Sequence, residues 1–123
     1  MQFAYWMLLL AAVLPYILTG IAKGGAGIDN ATPRLGAEHL QGWRQRADWA
    51  HRNHFEAFPA FAAAVLVAEF AHAAQNRIDW LAGTFILFRI GYSVAYVAGR
   101  PSLRSACWAG GIVCVIALFC IGA

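Results

Sequence analysis

Charge is what this 123-residue chain has least of: Asp, Glu, Lys and Arg together supply 12% of it, where soluble globular chains carry roughly 25%. No charged residue precedes Lys23 and none follows Arg104. The deficit is filled by apolar residues, at 61% against roughly 45–50% for an ordinary globular chain. One small domain cannot hide that much apolar surface from water, whereas a bilayer accepts it.

Metal and disulfide chemistry lack their usual residues. The three cysteines, Cys107, Cys114 and Cys120, form no CxxC pair and lie in apolar sequence, where free Cys packs as a small hydrophobe. His51 and His54 are three apart, but there is no HExxH and no nearby Cys, so no metal site is expected. No nucleic-acid partner is expected either. A cleaved leader needs a basic start and a small-residue cleavage site. With no Lys or Arg before Lys23 and a long apolar run, the first segment reads as a membrane span instead.

Four windows approach the ~20 apolar residues that a membrane helix requires: Gln2 to Ala22, Ala57 to Ala74, Trp80 to Gly99 and Ala106 to Ala123. The expected fold is therefore all-α, a single four-helix transmembrane domain over 1–123 with helices at about 2–22, 43–75, 79–99 and 102–122. Short connections make neighbouring helices antiparallel. The first connection, Lys23 to Gly42, is rich in Gly and reads as the one long flexible loop. The second is expected as a tight turn around Gln75 to Asp79. Pro101 suits the first turn of the last helix.

The basic residues are unevenly placed. Lys23, Arg34, Arg44, Arg46, Arg52, Arg100 and Arg104 belong to one side, and Arg77 alone to the other. By the positive-inside rule, loops one and three face the cytoplasm and both termini face away from it.

Polar residues gather at that side. On a helix, Arg46, Asn53 and Glu56 lie near one face, and Arg52 can pair with Glu56 four residues on. Arg89, Tyr92 and Tyr96 form a single stripe on the third long helix. An arginine there must face the bundle, with Glu56 and Glu69 as candidate counter-charges. Arg104 and Ser105 open the last helix, whose free N–H groups favour an anion. Such a mixture suits a small ligand carrying carboxylates and an amine, since Arg binds carboxylate in bidentate fashion. A pore would need a polar stripe through the whole membrane depth, and the first and last helices supply almost no polar side chains.

The segments AHRNHFEAFPAF and FRIGYSVAYVAGRPSLRS, with the four-helix layout, resemble the MAPEG family, membrane-associated proteins in eicosanoid and glutathione metabolism. The resemblance implies a homotrimer in membrane lipid, with glutathione as co-substrate held between subunits near the cytoplasmic face. It implies that Arg52, Asn53, Glu56, Tyr92 and Tyr96 contact glutathione, and that Arg104 with Ser105 stabilises its thiolate for attack on a lipophilic small-molecule substrate. The implied activity is a transferase or peroxidase. The family also includes a non-catalytic member, which implies as an alternative a protein that binds lipid or a protein partner through the same grooves. Trp108 stands where several members have Tyr.

Overall fold

The computed structural model describes residues 2–123 and contains five helices, with no strand among the described residues. These are α1 (Phe3–Lys23), α2 (Pro33–Glu38), α3 (Trp43–Phe70), α4 (Gln75–Val97) and α5 (Pro101–Gly122). Three of them, α1, α4 and α5, are long and apolar enough to cross a membrane. The 28-residue α3 is not among these. Its apolar part, from Ala57 to Phe70, is about 21 Å long at 1.5 Å per residue, short of the ~30 Å hydrocarbon core.

Two expected boundaries need correction. The helix expected to reach residue 75 stops at Phe70, because His72 adopts the left-handed conformation with φ 55°. The amide of His72 donates to the Glu69 carbonyl and that of Ala73 to the Ala68 carbonyl. This is a Schellman close, normally built on Gly. The turn therefore falls at 71–74, and α4 already begins at Gln75. A second Schellman close ends α4: Gly99, at φ 71°, donates to the Tyr96 carbonyl, and Arg100 donates to that of Ala95. Pro101 then starts α5, where its missing N–H costs nothing.

The second correction is α2, which lies inside the segment expected as a flexible loop. Ala37 and Leu40 are buried there with Ala22 and Ala47, and Ile28 packs on the group. Gly36 makes room for Ile28: a Cβ at that position would come within 2.6 Å of the Ile28 side chain. Arg44 fastens the segment at its far end. Its Nη1 donates to the carbonyl oxygens of Ala22, at 3.1 Å, and Gly24, at 2.6 Å. Those carbonyls would otherwise be orphaned at the end of α1.

In lipid there is no hydrophobic drive to bring helices together, so packing and hydrogen bonds must do it. Small buried residues permit the close approach: Ala4 and Ala11 on α1, Ala64 and Ala68 on α3, Ala82 on α4. At the centre, Phe61 stacks on Phe85 with centroids 3.9 Å apart and planes 10° from parallel. Gly110 on α5 lies against the Phe88 ring so closely that a Cβ there would be 2.5 Å from it. The outward faces remain apolar, with Leu9, Val13 and Ile17 on α1, Leu87 and Val94 on α4, and Val113 and Ile116 on α5 all exposed. These are surfaces that suit hydrocarbon.

Candidate functional site

The polar start of α3, the end of α4 and the start of α5 meet at one end of the molecule, and the seven residues singled out in the sequence line cavities there. Arg52, Asn53 and Glu56 border a cavity of about 470 Å³ together with Trp49, Tyr92 and Tyr96. The same two tyrosines border a cavity of about 300 Å³ with Arg104, Ser105 and Trp108. Tyr92 and Tyr96 are thus the shared wall, their rings in T-shaped contact 5.5 Å apart. A third cavity of about 270 Å³ begins at Asn53, Glu56 and Arg89, and runs past Trp108 to apolar Ala60, Phe85 and Val115.

Arg52 does not pair with Glu56. Its Nε donates to Asp48 Oδ2 at 3.1 Å. Asp48 is buried and Glu56 exposed, and a buried carboxylate needs a partner far more than an exposed one does. His51 lies 3.8 Å from the other Asp48 oxygen. Burial lowers the pKa of its imidazole, an effect that Asp48 opposes but does not overcome. A neutral His51 at that distance adds little to the pair. Glu56 instead accepts from Asn53 Nδ2 at 3.2 Å.

Arg89 also departs from expectation. It is 3% exposed, yet neither Glu56 nor Glu69 is bonded to it. Its Nη2 donates to Asn53 Oδ1 at 2.9 Å, and its Nε faces His54 Nδ1 at 3.4 Å. The guanidinium also lies 4.3 Å from the centroid of the Tyr92 ring, a cation–π distance. Glu69 is spoken for at the opposite end of the bundle, where the Gln75 amide donates to it at 2.9 Å. Neutral acceptors hold this charge, and hydrogen bonds to a charged group are worth roughly 1.5–3 kcal/mol each.

The other members of this network, His54 and Ser93, were not singled out in the sequence as part of it. Ser93 Oγ donates its one proton to the Arg89 carbonyl at 2.9 Å. The 2.6 Å contact between Ser93 Oγ and His54 Nε2 must then have the imidazole as donor. That leaves Nδ1 as the bare nitrogen facing Arg89. A single neutral tautomer of His54 satisfies both contacts. The available signal was spacing, since Arg89 and Ser93 are four apart on one face of α4.

Arg104 is half-buried and its guanidinium lies 4.8 Å from the Tyr96 ring centroid. Among the described residues the one ion pair between permanently charged groups is Arg52–Asp48, so no carboxylate neutralises Arg104. Ser105 is exposed beside it. Arg46 turns away from the Asn53 and Glu56 face, and its Nε donates to the Val97 carbonyl at 3.1 Å. The site therefore offers two arginines, one carboxylate, one amide and two phenols around adjoining cavities. That donor set fits an anion with a cationic end.

A family model described as the MAPEG family matches residues 3–123. No match was found among curated proteins or among solved structures.

Proposed function

The chain belongs to the MAPEG family, and from that premise we propose that it is a membrane-embedded, glutathione-dependent transferase or peroxidase acting on lipophilic electrophiles. Membership and three apolar helices make it an integral membrane protein of the glutathione and eicosanoid metabolism family. The observation that carries the finer reading is the uncompensated Arg104 beside a cavity walled by Tyr92, Tyr96 and Ser105. Arg52, Asn53 and Glu56 across the same tyrosines suit the carboxylates and ammonium of the tripeptide. Arg104 lowers the thiol pKa and raises the thiolate fraction. The thiolate lone pair then forms an S–C bond to the electrophile while the leaving group departs with its electron pair. The cavity running past Trp108 between α3, α4 and α5 suits the apolar reactant.

In this reading four helices span the bilayer, α3 doing so with its polar half projecting, and three copies assemble around the shared grooves. Loops one and three face the cytoplasm. A reporter enzyme that folds only outside the cytosol, fused after Ala123, is expected to be active; activity solely from a cytosolic reporter would reverse the topology.

Calorimetry of the detergent-purified protein tests the thiol ligand. Saturable glutathione binding is expected, lost in Arg52→Ala and weakened but still measurable in Arg104→Ala. A well-folded protein that binds no glutathione would leave the non-catalytic, lipid- or partner-binding reading in its place.

A further inference from the structure

Another cavity, of about 320 Å³, lies between the start of α3, the end of α4 and the start of α5, bordered by Arg46, Arg100 and Arg104 with Gly99 and Tyr96. It contains no carboxylate. We propose that these three arginines form an oxyanion subsite, adjoining the thiol pocket and sharing Arg104 and Tyr96 with it, that takes the phosphate of an anionic membrane lipid or of free phosphate.

None of the three guanidinium groups is neutralised by a carboxylate, and two of them are held in place. Arg46 is anchored through Nε on the Val97 carbonyl, which leaves its two terminal nitrogens for a ligand. Its guanidinium lies against the bare face of Gly99, where even a Cβ would be 3.6 Å from Nε. Arg104 is held on the Tyr96 ring. Arg100 is exposed at the N-cap of α5. The first intrahelical amide of α5 is that of Arg104, bonded to the Arg100 carbonyl. The N–H groups of Ser102 and Leu103 thus precede the hydrogen-bonded ladder and add to the positive field.

Topology alone requires basic residues at this level but not their convergence on one cavity. Three like charges around a cavity repel one another, and a bound oxyanion relieves that repulsion. Arginine forks match phosphate in bidentate fashion. At the surface of a bilayer, phosphate is the group that lipids present. Exposed Val94 near the end of α4 and Leu103 in the first turn of α5 offer apolar surface for acyl chains. The proposal does not depend on thiol chemistry.

The test titrates the full-length protein in a neutral detergent with short-chain phosphatidylglycerol, short-chain phosphatidylcholine and inorganic phosphate, followed by calorimetry. Phosphatidylglycerol is expected to bind saturably and more tightly than phosphatidylcholine. Arg100→Gln and Arg46→Gln should each weaken it about tenfold, equivalent to ~1.4 kcal/mol. Phosphate binding with the same arginine dependence, and no gain from the lipid, would assign the subsite to a free oxyanion. No saturable binding of either probe, affinity indifferent to headgroup charge, or unchanged affinity in Arg100→Gln would overturn the proposal. Arg100 is exposed, so its variant tests the charge without disturbing the Val97 contact. A glutathione titration of the same samples separates the two sites: retained glutathione binding in Arg100→Gln is expected, and its absence in every sample would remove the thiol reading while leaving this one standing.

Discussion

Arg104→Ala is expected to cut turnover at pH 7 by roughly 25-fold through the thiolate fraction alone, and to lose most of that deficit by pH 9. A free thiol has pKa ~8.5 and is about 3% ionised at pH 7. A cation in contact lowers an acid by about 1–3 units; a shift of two units makes the thiol about three-quarters ionised. Arg104 is suited to this because its charge rests on the Tyr96 ring and not on a carboxylate. The sign follows from the acid: thiolate is present above the pKa, so raising the pH restores in the variant what the arginine supplies at neutrality. The two pH–rate profiles should converge at the alkaline end. The thiolate absorbance of bound glutathione should shift upward in pH by the same interval. Arg104→Lys keeps a charge but not the planar fork, and should fall between the two. A variant profile parallel to that of the parent, displaced only in height, would mean that Arg104 binds substrate without setting the thiol pKa.

The parts of this molecule that were legible in the sequence are those with a local physical cause. Uncharged runs on either side of the chain announce α1 and α5, and Gly99 followed by Pro101 marks the end of one helix and the start of the next. What stayed hidden depended on context. His72 ends α3 in a conformation usually reserved for Gly, so no residue signalled the stop. The segment before α3 reads as loop because its Gly content is high, yet Ile28, Ala37 and Leu40 find a buried seat that only the fold provides. At the site, residue types alone suggest Arg–Glu pairs. The structure follows burial instead: Asp48 takes Arg52 because Asp48 is buried, and Arg89 is met by neutral Asn53 and His54. Opposite charge is an obvious sequence signal for pairing; a neutral acceptor in reach is visible only once helices are packed.

That neutral cradle leads to the second large expected effect. Asn53→Leu should destabilise the protein by about 2–4 kcal/mol, because it strips the 2.9 Å acceptor from a guanidinium that is 3% exposed. The remaining contacts, His54 Nδ1 at 3.4 Å and the Tyr92 ring, cannot replace it. Asn53→Asp keeps an acceptor at the same place and adds the counter-charge that Arg89 lacks, but it turns the 3.2 Å donation to Glu56 into a contact between two carboxylates, so it should cost something, though less than Asn53→Leu. The pair of variants separates two roles of one residue. If Asn53 also holds glutathione, Asn53→Asp should weaken glutathione binding while lowering the unfolding midpoint in sodium dodecyl sulfate less than Asn53→Leu does. The partner substitution sharpens the argument. Arg89→Met removes the buried charge itself, and an apolar side chain of similar length is often tolerated where an ion was buried. Asn53→Leu in the Arg89→Met background should then cost much less than in the parent, a coupling of about 1–3 kcal/mol in a double-mutant cycle. Additive costs would mean that Arg89 draws its compensation from elsewhere, and that the chain Arg89–Asn53–Glu56 does not act as a unit.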